Sequence, residues 1–241
     1  MSLFDHISLL TFYDLGALTF TFTLWLSLSW LIEHPIKNPS VTLIMADYRR
    51  AWMQELITRE PRIFDAAILS SLREGTSFFA SASMIAIGGL LAVIGNTDQI
   101  SVVAEDLTSQ SIPALIWQIK LLIVVIFLTH GFLKFVWANR LFGYCAVIMA
   151  AVPNDIEDPN ARTVAAKAAE VNIRAAWNFN RGLRAIYFAL GSLAWLLGPI
   201  ALVITTVLVG WLIWNREFSS HARSILLATP DGIITPAASD T

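Results

Sequence analysis

Cysteine is almost absent. The 241 residues contain one, Cys145, which excludes an internal disulfide framework and any metal site built from several thiolates. Charge is scarce too: Asp, Glu, Lys and Arg make up 14% of the chain, where soluble domains carry roughly 25%. The formal net charge of −2 leaves no basic excess for nucleic acid. Catalytic signatures are also missing. The four histidines, His6, His34, His130 and His221, are scattered, with no His-Glu-x-x-His spacing. No Ser nucleophile elbow occurs, and Gly88-Gly89 lies inside an apolar run rather than in a phosphate-cradling loop. Cys145 has an apolar context and reads as a packed thiol. These absences argue against an enzyme, a metal site, a cofactor or a nucleic-acid partner.

What the chain has in quantity is apolar length. A spanning helix needs about 20 mostly apolar residues, and five segments approach that: 9–31, 77–94, 114–137, 183–198 and 199–215. The first has no basic residues ahead of it and no convincing cleavage site, so it reads as a retained span rather than a signal peptide. Gly198-Pro199 divides the last two, a pair that ends one helix and starts another.

Lys and Arg set the orientation. Lys37, Arg49, Arg50, Arg59, Arg62 and Arg73 lie between spans one and two. Arg140, Arg162, Lys167 and Arg174 lie between spans three and four, and Arg216 and Arg223 follow span five. The first ten residues and the segment 96–113 carry none. Five spans put every basic segment on one side; four would split them. The expectation is an all-α integral membrane protein of the inner membrane, N-terminus outside and C-terminus cytoplasmic. Residues 1–225 form one membrane domain and 226–241 a flexible tail. Trp30, Trp137, Trp211 and Trp214 then fall near the inner interface, Trp117 and Trp195 near the outer one, as aromatic belts require.

Two helical stretches outrun the bilayer. Residues 113–152 and 161–198 are each nearly 40 long, about 60 Å as helices and roughly twice the hydrocarbon thickness. They predict an antiparallel hairpin whose inner halves, 138–182, project into the cytoplasm, with Asp158-Pro159-Asn160 as turn and cap. Residues 41–73 predict cytoplasmic amphipathic helices. In the first, after a Ser40 cap, Val41, Met45, Tyr48, Trp52 and Leu56 share a face. That helix can lie in the membrane plane or pack on the hairpin; Asp47, Glu55 and Glu60 dilute its charge and favour packing. A second short helix leads into span two. There Ser77, Ser81, Gly88, Ala92 and Gly95 form a small-residue face, expected to pack within the chain.

The stretch from Arg49-x-x-Trp52 to Leu72-Arg73, entering that small-residue span, resembles a family of bacterial and plant membrane proteins known as domain of unknown function 599. The likeness extends over about residues 10–220. Glu74 stands where plant members carry Asn. The resemblance implies the membrane topology and singles out Arg49, Trp52 and Arg73; it implies no activity.

Ionisable groups at depth are the remaining functional signal, because charge inside the bilayer is costly. Asp14 and Lys120 lie at similar depth near the outside and predict an ion pair, although Lys120 can also snorkel to the outer surface. His130 lies deeper. In the hairpin, levels pair where residue numbers sum to about 311, so His130 faces Arg181 and Lys134 faces Trp177. Lys134, Arg174, Asn178, Arg181 and Arg184 form a candidate anion or lipid-headgroup site, unless Glu33 or Glu74 neutralises it. Two functions fit: an oligomeric channel or transporter for small anions, or a non-transporting scaffold or accessory subunit that binds partners through its cytoplasmic helices. The expected partners are the bilayer, anionic headgroups and further copies of the chain.

Overall fold

The computed structural model describes residues 11–96 and 114–228. The first ten residues, the segment between spans two and three, and most of the expected tail lie outside these. Among the described residues all regular structure is helical. Local chemistry accounts for most helix starts. Thr11 and Asp14 form a capping box at the head of α1 (Phe12–Glu33). Ser40 caps α2 (Val41–Glu55), and Asp158 with Pro159 opens α5 (Pro159–Ser192). Between these lie α3 (Ile63–Gly95) and α4 (Ala114–Ala150). A 3-10 turn, Leu193–Leu197, ends the α5 arm at Gly198, whose φ of 124° suits glycine; Pro199 then starts α6 (Pro199–Trp214). A π segment, Asn215–Ser219, joins it to α7 (His221–Leu227). Leu226 and Leu227, expected in the tail, are thus helical, and the Leu226 carbonyl accepts a hydrogen bond from Tyr48.

Four helical stretches are long and apolar enough to cross a membrane: α1, α3, α4 and Pro199–Leu227. Their outward surfaces carry Leu26, Ile85, Ile126, Leu133, Ile204 and Leu208, a lipid-compatible belt. The expected fourth span, 183–198, is not among these four: the α-helix ends at Ser192, its last turns follow the polar stretch through Arg181 and Arg184, and Leu193–Leu197 continue as a 3-10 turn. α5 is also the most enclosed helix. It runs antiparallel to α4 along nearly the whole of both, from Cys145 against Ala168 to Lys120 against Trp195, close to the expected register. A buried stripe of Ala161, Ala165, Ala168 and Ala175 lets the backbones approach. A Cβ on Gly182 would stand 2.6 Å from the Phe135 ring, and one on Gly131 3.3 Å from the Gly182 carbonyl. The close approach is therefore built into α4 and α5. α3 packs on α4; α1 and α6 pack on each other and on α5.

Four expectations need correction. The short helix before span two is not separate: α3 runs unbroken for 33 residues, since Gly75 alone costs only about 1 kcal/mol and no proline follows. The small-residue face of α3 does not pack inside the chain. Ser77, Ser81, Gly88, Ala92 and Gly95 are all exposed, and Thr76, Ser83, Ile87, Leu90 and Ile94 turn inward instead. In α2 the stripe Thr42, Ala46, Arg49, Met53 meets the hairpin, one residue round from the expected apolar face, while Met45 stays exposed. Packing on the hairpin is the placement observed. Trp117 and Trp195 are core residues, at 4% and 0% exposure, whereas the four inner tryptophans are exposed.

Candidate functional site

The intramembrane ionisable groups fall into two separate clusters. At the end expected to face outward, Asp14 and Lys120 are both buried. No ion pair joins them among the described residues; both converge on Trp195. The Trp195 indole N–H donates to Asp14 Oδ1 at 2.7 Å, and Lys120 Nζ donates to the Trp195 carbonyl at 2.9 Å. Each charge therefore serves a helix end. Asp14 sits in the first turn of α1, where Thr11 donates to it from both backbone and side chain. Lys120 neutralises the frayed C-terminus of the α5 arm, and its Nζ lies 5.6 Å from the Trp195 ring centroid. Snorkelling is overturned: that carbonyl gives the ammonium a partner inside the bundle.

Below this cluster the core is apolar. Phe127 and Phe188 stack with centroids 6.1 Å apart, Phe22 stacks on Phe127, and Leu28, Ile32, Val124 and Ile213 close around them. His130 lies at its margin, half-buried, with its ring edge-on to Trp25 at 5.0 Å. It has no hydrogen-bond partner among the described residues.

The inner cluster is an ion pair with two arms. Glu33, the last residue of α1, accepts from Arg181 Nε at 2.8 Å and Nη2 at 2.5 Å, and from Arg184 Nη2 at 2.9 Å. Arg184 is 1% exposed and also donates to Ser29; its Nη1 is buried without a partner. Of the residues grouped as an anion or headgroup site, Arg181 and Arg184 thus share the single carboxylate of Glu33, which offsets one of their two charges. Asn178 donates to the Arg174 carbonyl, Arg174 lies over the Trp177 ring, and Lys134 is half-buried with no ion-pair partner among the described residues. Glu74 takes no part, since it accepts from Ser70 on the exposed side of α3. A signal for Glu33 existed: an acid closing an apolar helix opposes the helix dipole and needs a cation from elsewhere.

The residues that carry the family resemblance lie on the α2–α3 corner. Trp52 donates its indole N–H to Asp65 Oδ1 at 2.6 Å, and Arg59 pairs with the same oxygen. Asp65 is wholly buried, and with Arg62 bonded to the carbonyls of Val152 and Pro153 it fixes the corner to the hairpin. Arg49 donates to Asn172 of α5. Arg73 is exposed; its carbonyl accepts from Asn139. From this corner α2 and α3 diverge over the hairpin and leave a cleft of about 370 Å³ between them, lined by Arg49, Thr76, Phe142, Trp177, Asn180 and Glu217 among others. Glu217, reaching in from the π segment, accepts from the Thr42 N–H and hydroxyl at the N-terminus of α2 and is balanced by Arg216.

No cluster of His, Cys, Asp and Glu suited to a metal occurs among the described residues. No curated protein and no solved structure matches the chain. A family model does, across residues 16–222, from the first turns of α1 into α7, under the description "Protein of unknown function, DUF599". With the match running through every helix described above, the chain belongs to that family of unknown function.

Proposed function

We propose that this is an inner-membrane protein with five crossing segments, its N-terminus outside and its C-terminus cytoplasmic, that acts as a non-transporting scaffold or accessory subunit. One observation carries the reading. The deep ionisable groups that would mark a permeation path are engaged within the bundle, Asp14 and Lys120 at Trp195 and Arg181 and Arg184 on Glu33, and the stacked Phe22, Phe127 and Phe188 lie between the two clusters. A path for anions needs water and free cations along its length. The fifth crossing is supported by α5 lying beside α4 as far as Trp195: if the apolar half of α4 crosses, its partner crosses with it. Lipid contact is not required of a helix enclosed by its neighbours, so the polarity of α5 is no obstacle. The exposed small-residue face of α3 supports self-association or docking of another membrane helix there.

Proteoliposomes test the central claim. Chloride or phosphate flux should equal that of protein-free vesicles, and Arg181→Gln should change nothing. Flux above that baseline, reduced by Arg181→Gln in a folded protein, overturns it. Single cysteines at Asn154 and Ala228, in a Cys145→Ser background, test the crossings. Labelling from the same side of the membrane fits five; labelling from opposite sides fits four.

A further inference from the structure

The cleft between α2 and α3 holds a cation that no carboxylate among the described residues neutralises. The Arg49 guanidinium is partly buried in it, and its partner on α5 is the neutral amide of Asn172. Among the described residues no carboxylate lies within 4.0 Å of it; the six ion pairs involve other arginines. Asn172 in turn donates to the Cys145 sulfur, so the floor beneath Arg49 is neutral. Burial pulls the Arg49 pKa down, with a small opposing effect from Cys145, yet a guanidinium keeps its proton near neutral pH. A desolvated charge without a counter-ion is unfavourable, and here the missing partner is an anion.

The other polar groups do not supply one. Glu217 is spent on Thr42 and Arg216, and Arg216 also donates to the Tyr187 hydroxyl. Trp177, which lines the cleft, keeps a buried indole N–H without an acceptor. The cleft therefore offers a forked cation and a spare donor, set among apolar Val41, Met45, Leu72 and Phe179.

Size and position narrow the ligand. About 370 Å³ is at the lower end of small-ligand sites and accommodates a phosphate headgroup but not two acyl chains. From Arg49 to Thr42 the cleft follows about 10 Å of helix. At its Thr42 end lie Asn180 of α5 and the start of the apolar run of α3 beyond Thr76. Met45 and Ser71 on its rim are exposed. A headgroup seated at Arg49 can thus send its chains toward that apolar run.

We propose that the α2–α3 cleft binds a phosphate-bearing ligand supplied by the membrane, an anionic phospholipid whose phosphate oxygens pair with Arg49. Arg is suited to this because its planar fork matches two phosphate oxygens. The site is independent of whether the protein transports, since lipid binding and flux are separate readouts.

Native mass spectrometry of the full-length protein in detergent, titrated with short-chain phosphatidylglycerol, phosphatidylcholine or inorganic phosphate, tests this. One phosphatidylglycerol should bind in preference to the other two. Arg49→Gln should weaken it on the order of ten- to a hundredfold, as for loss of one charge-assisted pairing. Gly75→Phe keeps Arg49 and adds bulk at the lining of the cleft, where a Cβ meets nothing within 4 Å; it should weaken binding to a similar degree. Retained affinity in either folded variant overturns the site. Inorganic phosphate binding as tightly as phosphatidylglycerol overturns the membrane as its source, and equal binding of phosphatidylcholine overturns the requirement for an anionic lipid.

Discussion

Removing the Glu33 carboxylate should be among the most damaging single changes in the membrane half of the protein. Three hydrogen bonds of 2.5 to 2.9 Å converge on it from two arginines. The two arms are unequal. The Arg181 side chain is 36% exposed and can turn to water or headgroups, so its share is of the order of 1 kcal/mol. Arg184 is 1% exposed, already has one orphaned nitrogen, and would keep only Ser29 as a partner. Stranding that charge should cost about 3–5 kcal/mol, the range for breaking a buried pair from one side. For a chain of this size that lowers the melting temperature on the order of 10 °C. Glu33→Ala, Arg184→Gln and Arg181→Gln, compared by thermal unfolding in nanodiscs, should therefore rank in that order of damage. The decisive measurement is the double variant. Adding Arg184→Gln to Glu33→Ala removes the stranded charge and should restore much of the lost stability. If the two losses simply add, Arg184 does not depend on Glu33 and the electrostatic argument fails.

Three further changes probe other contacts. Gly182→Val would drive a Cβ into the fully buried Phe135 ring and should cost about 1–3 kcal/mol, whereas Gly88→Val, facing open space, should be neutral; equal effects on melting would refute the close approach of α4 and α5. Trp195→Phe keeps most of the ring volume but deprives buried Asp14 of its indole donor, a loss of about 1–3 kcal/mol in the same assay, and no change would show that the outer cluster is not held through Trp195. Cys145 is wholly buried between α4 and α5, its sulfur against the Ala168 carbonyl and the Asn172 amide. It should react with maleimide only on unfolding, and fast labelling of the folded protein would contradict this packing.

Most helix starts and the long α4–α5 hairpin were legible in the sequence because local chemistry sets them, whereas the unbroken length of α3 was not. Ser40, Asp158-Pro159 and Gly198-Pro199 stop or start helices wherever they occur, and two long uninterrupted arms joined by a short turn have to lie antiparallel. Even the hairpin register followed from rise per residue alone. Rotation of each helix about its axis was not legible. In a soluble helix an apolar stripe reveals the buried face; α1 and α4 are apolar almost all round, because lipid and core make the same demand. That is why the small-residue face of α3 was expected to turn inward and turns outward, and why Trp117 and Trp195 lie in the core instead of a belt.

The same limit governed the charges. The sequence alone placed Asp14 and Lys120 within long apolar runs, Arg181 and Arg184 at the edge of another, Arg49 on a polar stretch between runs, and Glu33 at the close of the first. Only the tertiary structure decided that Asp14 and Lys120 meet at Trp195, that Glu33 takes both Arg181 and Arg184, and that Arg49 has no carboxylate partner among the described residues. Depth follows from counting residues along a helix. Partnership depends on which sides of five helices face one another, and that is settled by packing all of them at once.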